Sequence, residues 1–411
     1  MNRGKSFLIS GIGLLSAMFF LKPAQAAGEW LLKSQRAVLE EKGLTLRAKS
    51  IEDFVSVLHG GISHKDTWNG LLDFGVNYDF GKLGIIPGGT FFFRGAEIHG
   101  NQRPTVDLVG DAQGVDGFEG AHGFRVYEMG YEQNLLKDKL SLRAGVLDIN
   151  SDFAFSDIAS VLFMNSALCI TPTLVNNIST PTYPITAAGF RTKYAITENI
   201  TFMAGVWDGD AGTSEDNKHN LHIKWKNKDG LLSITQTDFK YILPGVGDKL
   251  PGTFKLGGWY DSKSFNDVVN TDDNGDAVRH HGNFGGYFIW DQMLWREKDD
   301  QGLSMFWEIA GAPKDRNTVS QHLAGGFTYT GLVPGRDQDQ CGIAVTNAYF
   351  SHQKALANDW DRAEATWETT YRVKVNESVS VAPDFEYVDR PSGDRTKKNA
   401  SVFMIRTMIV Y

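Results

Sequence analysis

The sequence predicts an all-β protein, a transmembrane antiparallel β-barrel, and three observations carry that prediction. Apolar and polar residues alternate with period two along most of the chain. Beyond the first 26 residues no stretch is long and apolar enough for a membrane-crossing helix. The last residues, Phe403, Ile405, Thr407, Ile409 and Tyr411, alternate up to a terminal aromatic.

The N-terminal segment 1–26 reads as a cleavable secretory signal. Arg3 and Lys5 precede an apolar run from Phe7 to Leu21, and Ala24-Gln25-Ala26 supplies the small residues of a cleavage site. An uncleaved anchor is the alternative, but the run is short for a spanning helix. The full-chain net charge is −8, and this segment holds three basic and no acidic residues, so its removal leaves −11. Such a charge does not recruit nucleic acid or other polyanions.

Composition separates the chain from an ordinary soluble enzyme. It has 44 Gly, only 12 Pro and 12% aromatic residues, with Tyr, Trp or Phe recurring through nearly every segment. A barrel with alternating lipid-facing and water-facing residues averages to this mixture. The two cysteines, Cys169 and Cys341, cannot make a disulfide framework, and their spacing does not decide whether they pair.

Between residues 27 and 43 the pattern is helical over Glu29–Lys42 and closes at Gly43, which predicts a short periplasmic helical segment ahead of the barrel (44–411). The alternation is clearest where Trp68, Leu72, Phe74, Val76 and Tyr78 share a face, and where Ala365, Trp367, Thr369 and Tyr371 oppose Glu364, Thr366, Glu368 and Thr370. Marking every such segment gives seventeen candidates, the odd one being 218–226. Bacterial barrels have even strand counts and alternate short periplasmic turns with long outer loops. Loop lengths alternate correctly only if 218–226 belongs to an outer loop, which leaves sixteen strands with both chain ends in the periplasm. Long outer loops are then expected at 100–123, 149–186 and 262–283.

With the strands placed, the details resemble the OprB-type carbohydrate-selective porins over nearly the whole mature chain. The resemblance rests on Gly331-Leu332-Val333-Pro334-Gly335-Arg336-Asp337-Gln338-Asp339, on Pro383-Asp384-Phe385-Glu386-Tyr387-Val388-Asp389-Arg390-Pro391, and on Trp290-Asp291-Gln292 before Leu294. Tyr183-Pro184 ahead of Gly189-Phe190-Arg191, the opening Gly28-Glu29-Trp30 and the pair Gly60-Gly61 add to it. Three positions depart from the family pattern: no glycine follows Trp30, Glu386 stands where glutamine is usual, and the last residue is Tyr411 instead of Phe. The resemblance implies a passive outer-membrane channel for small sugars such as glucose. It also implies contact with outer-membrane lipid and lipopolysaccharide, recognition by the barrel-assembly machinery, and room for homo-oligomers.

Sugar permeation needs a narrow wet constriction with paired hydroxyl donors and acceptors, an aromatic surface, and weak binding. The connection 149–186 is too long for an ordinary loop and carries Phe153, Phe155, Leu162, Phe163, Met164 and Leu168, so it is expected to fold into the lumen. Strand phase points Arg94, Arg143 and Arg191 inward on strands flanking that connection, with Glu128 and Glu132 opposed to Tyr127, Met129 and Tyr131. Guanidinium groups offer planar paired donors and carboxylates accept from hydroxyls. The alternative is that these charges hydrate the lumen and brace the wall. Phe153, Phe155 and Trp259 are the candidate aromatic surface of the constriction, although Trp259, like the equally lumen-phased Glu308, Glu386 and Arg406, belongs to the opposite wall.

No metal or other cofactor is expected. Asp272, Asn274 and Asp276 resemble a calcium loop, but Ala277 stands where glycine is required. The adjacent His280-His281 lacks a matching ligand pair. A barrel enzyme would need a nucleophile-base constellation at one rim, and no Gly-x-Ser-x-Gly turn occurs. Within transport, a channel for other small solutes including organic anions is the competing reading, because three arginines could build a positive patch.

Overall fold

The computed structural model describes residues 33–221, 227–245 and 249–411. The expected signal and the first part of the opening segment lie outside them. A helix, Lys33–Glu41, precedes the sheet, and its Arg36 donates to the Leu46 carbonyl at the base of the first strand.

Sixteen antiparallel strands close into one barrel among the described residues. The first half comprises β1 (Leu44–Gly61), β2 (Asp66–Asp79), β3 (Gly89–Gly100), β4 (Gly123–Leu135), β5 (Leu140–Leu147), β6 (Ala187–Ala195), β7 (Ile200–Asp208) and β8 (Leu231–Pro244). The second comprises β9 (Lys249–Thr271), β10 (Ala277–Lys298), β11 (Gln301–Gly311), β12 (Val319–Thr330), β13 (Gln340–Phe350), β14 (Ala363–Lys374), β15 (Val379–Asp389) and β16 (Lys398–Val410). Each strand pairs with its sequence neighbours, and β1 pairs with β16 from Lys49↔Val410 to Gly61↔Lys398. Closure leaves no open sheet edge, which a chain crossing lipid requires. Residues 218–221 carry no strand, in keeping with their place in the connection between β7 and β8; 222–226 lie outside the described residues.

The period-two pattern sorts the side chains as expected. Trp68, Leu72, Phe91, Phe190, Phe202, Trp307, Ile309, Trp367 and Phe385 are exposed on the outside, while their alternates Asp73, Glu308, Glu368 and Asp384 are buried inside. An apolar outer band around a polar interior is the arrangement lipid selects. At the first outer turn, Gly60 and Gly61 both take positive φ, and a Cβ on Gly60 would meet the Asn399 carbonyl oxygen at 1.8 Å. Only glycine fits that close pass against β16.

One expected outer loop is corrected. Much of 262–283 extends β9 and β10 into a protruding hairpin, paired from Ala277↔Thr271 through His280↔Phe265 to Asn283↔Asp261. Asp272 caps its tip by accepting from the Asn274 and Asp276 backbone N–H groups, with Gly275 at φ +86°. The acidic cluster that resembled a calcium loop is therefore a turn with its lead carboxylate committed to backbone.

The interior is divided. Trp207, Leu232, Ile234, Trp259, Tyr287 and Ile289 form an apolar inner wall on β7 to β10, and Phe153, Ile170, Leu174 and Ile178 from the connection 149–186 pack onto it. A wall left open to water would not be built this way, since burying each such side chain contributes about 1.5–3 kcal/mol. Polar anchors complete the seating. Asp291 accepts from Ser156 Oγ and from Asp157 N at 2.8 Å, and Glu368 accepts from Met164 N and Asn165 N at 2.6 and 3.2 Å. Glu364 does the same for the connection 101–122, taking Ala112 N and Gln113 N at 2.8 and 2.9 Å. Inward carboxylates on the barrel wall thus satisfy backbone N–H groups of inserted chain, a charge-assisted bond of the stronger kind.

Candidate pore constriction

The inward residues of β3 to β6 form one charged ladder because of strand register. Arg94 sits opposite Glu128, Glu132 opposite Arg143, and Arg143 opposite Arg191. Arg94 binds Asp73 through Nε and Nη2, the shorter contact being 2.6 Å, and its Nη1 lies 3.6 Å from Glu128. Arg143 is 3.3 Å from Glu128 and 4.0 Å from Asp152, with its guanidinium 4.1 Å from the Phe92 ring centre. Arg191 holds Asp152 at 2.9 Å, Glu132 at 3.4 Å and Ser141 Oγ at 2.6 Å.

Exposure separates these groups. The Arg94 side chain is 37% exposed, Arg143 15% and Arg191 5%. Arg94 alone among the three lines an interior cavity of about 640 Å³ bounded by β1 to β4, β14 to β16 and the two inserted connections. Arg143, Arg191, Glu128 and Glu132 lie behind it as a mutually paired network.

Tyr127 is where strand phase misleads. A register shift between Arg94 and Gly95 skips one residue of β4, so that Glu128 and Val126 pair with successive β3 residues. This bulge turns Tyr127 inward, where its hydroxyl donates to Asp148 at 2.6 Å and its ring lies 4.6 Å from the Arg94 guanidinium. A β-bulge re-aims a side chain in this manner. Tyr183 and Phe118 extend the aromatic surface, with ring centres 5.9 Å apart and Tyr183 also 5.9 Å from Tyr127. Sequence reasoning missed Phe118, Tyr127 and Tyr183; the quoted Tyr183-Pro184 pair was the available signal for the last.

Arg406 also needs reassignment. Its expected place is the opposite wall, but β16 adjoins β1, so Arg406 faces the same cavity as Arg94. It binds Asp53 at 2.6 Å and Asp116 at 3.4 Å, with Phe118 4.5 Å away. Lys49 on β1 joins the lining.

Three aromatic candidates are displaced. Phe153 is 0% and Trp259 3% exposed, both inside the apolar cluster, with Phe153 edge-on to Trp207 at 5.9 Å. They anchor the inserted segment and offer no face to a solute. Phe155 is half-buried, with Lys255 Nζ 4.2 Å from its ring centre and donating to its carbonyl. Cys169 and Cys341 are unpaired.

The chain matches known proteins over nearly its full length. Porin B of Pseudomonas aeruginosa is 23% identical, the alignment covering 99% of this chain and 97% of that protein. The putative porin QuiX of Acinetobacter baylyi is 22% identical with 91% of each chain covered. The high-pH structure of Pseudomonas putida OprB superposes with a TM-score of 0.83 at 20% identity, over 92% of this chain and 96% of that one; the low-pH structure gives 0.59 at 17% identity, over 94% and 98%. The family described as carbohydrate-selective porin, OprB family, matches residues 63–411. With a closed sixteen-strand barrel, an apolar outer band and a charged, aromatic-lined cavity inside, this chain belongs to that family and forms an outer-membrane carbohydrate channel.

Proposed function

We propose that small sugars cross through the cavity beside Arg94, held transiently by the Arg94–Asp73 pair on one side and by the rings of Phe118, Tyr127 and Tyr183 on the other. The observation that carries this reading is the placement of the one substantially exposed arginine of the ladder directly over Tyr127. Arg94 Nη1 retains donor capacity, Asp73 accepts, and the rings suit the apolar face of a pyranose. Each hydroxyl contact replaces one with water, so the net gain is about 0.5 to 1.5 kcal/mol, or up to about 3 with a charged partner. A few such contacts bind at the millimolar scale and release rapidly, which flow requires.

Arg143, Arg191, Glu128 and Glu132 are proposed to set the position of Arg94 and the local potential instead of touching solute. The segment 149–186 is the narrowing element, the band of outer aromatics contacts lipid and lipopolysaccharide, and the β16 end presents the alternating face read by the assembly machinery. No chemistry is assigned to the pore. Anion selectivity is disfavoured because Arg94 and Arg406 each face a carboxylate pair or partner within 2.6 Å.

Planar-bilayer recording with glucose as blocker tests the reading. Arg94→Ala is expected to weaken sugar block of the ion current roughly tenfold, equivalent to about 1.4 kcal/mol. An unchanged block in a folded Arg94→Ala barrel would remove the guanidinium from the solute path.

A further inference from the structure

Beneath the inserted segment, on the far side of the interior from Arg143 and Arg191, lies a second charged group that the sugar path does not use. Glu368 on β14 and Asp384 and Glu386 on β15 converge so that one carboxylate oxygen of each lies within 4.8 Å of the others. Register explains the convergence: Glu368 pairs directly with Glu386, and Asp384 is two residues along the same inward face. All three are buried, at 2%, 2% and 0% exposure.

The hydrogen-bond accounting does not close. Both oxygens of Glu368 accept backbone N–H groups from Met164 and Asn165, and Oε2 of Glu386 accepts from Asn165 Nδ2 at 2.9 Å. No donor stands in good hydrogen-bonding geometry on either oxygen of Asp384 or on Oε1 of Glu386; the polar neighbours of Asp384 are the Glu368 carboxyl and Thr370. Arg406, on the adjoining β16, gives its hydrogen bonds to Asp53 and Asp116. Three buried carboxylate oxygens are thus left without a well-placed donor, Arg406 reaching Glu368 and Asp384 only through its charge, and carboxylates crowded this closely are costly unless protonated or metal-bound.

We propose that Glu368, Asp384 and Glu386 form a binding site for one divalent cation of the calcium class. The donor set is all oxygen and carboxylate-rich, which suits hard cations and not zinc or copper. Oxygens within 4.8 Å of one another can all reach an ion at calcium's usual 2.3–2.6 Å. Asp384 can chelate through both oxygens, Glu386 adds Oε1, and Glu368 retains a lone pair beyond its N–H contacts. Because Glu368 and Glu386 also hold Met164 and Asn165, the ion clamps the inserted segment to β14 and β15. The site is independent of sugar preference and stands whether or not Arg94 contacts solute.

The test uses the full chain refolded in detergent without lipopolysaccharide, stripped with chelator, then dialysed against millimolar calcium and freed of excess by gel filtration. Elemental analysis is expected to find one calcium per chain in the parent and none in Asp384→Asn or Glu386→Gln, variants that conserve side-chain volume. Calcium should raise the unfolding temperature of the parent alone, with folding monitored by heat-shifted electrophoretic mobility. A folded parent that retains no calcium, or a folded pair of variants that retain one calcium as the parent does, would overturn the site and leave the three carboxyls sharing protons.

Discussion

Replacing residues 155–178 with a short glycine-serine linker is expected to raise single-channel conductance several-fold and to abolish discrimination between sugars and larger neutral solutes. A barrel of this strand number leaves an aqueous lumen unless something fills it. Here the filling is the segment itself, lying on Trp207, Leu232, Ile234 and Trp259 and pinned by Asp291, Glu368 and Glu386. The excision removes the ceiling of the cavity at Val161, Phe163 and Met164 while leaving the ladder on β3 to β6 in place. It also bares an apolar inner wall, so the deleted barrel should unfold at lower temperature while keeping its strand content. Conductance equal to the parent's, in a variant with full β-sheet circular dichroism, would show that the segment does not set the bore.

The strands were legible because a barrel in lipid imposes period two with little interference, and loop-length alternation then disposed of 218–226. What failed was phase and neighbourhood. Strict alternation with Glu128 and Glu132 points Tyr127 outward, but a bulge consumes one residue of β4 there and turns it in. Arg406 lies beside β1 and not on the far wall because ring closure makes the first and last strands neighbours. Phe153 and Trp259 have the lumen-facing phase of a sugar-contacting surface, but an aromatic on the inner wall can equally be an anchor, and only the complementary apolar face on β7 to β10 distinguishes the two. The acidic triad was invisible as a group. Glu368, Asp384 and Glu386 each read as ordinary lumen-facing polar residues, and their convergence depends on the β14–β15 register.

Arg191→Ala is expected to be the most destabilising of the ladder substitutions, although it is the least exposed to solute. Its guanidinium is 5% exposed and holds Asp152, Glu132 and Ser141 together, tying the start of the inserted segment to β4, β5 and β6. Deleting it leaves Asp152, at 14% exposure, with only the 4.0 Å contact to Arg143. Breaking a buried pair by removing one partner costs about 3 to 5 kcal/mol, and water in the lumen moves the expectation to the lower end. Arg94→Ala also strands a partner, Asp73 at 12% exposure, but the lost guanidinium is itself 37% exposed and water can take its place, so its stability loss is expected to be smaller and its main effect to fall on sugar block. Urea unfolding of the refolded barrel in lipid vesicles measures the difference. Arg191→Ala combined with Asp152→Asn should recover part of the loss, because the second change neutralises the stranded carboxylate. In the open channel Arg191→Ala should also shift selectivity toward cations, as Arg143→Ala should. A stability change within about 0.5 kcal/mol, the scatter of an ordinary surface substitution, would show that the ladder does not brace the wall.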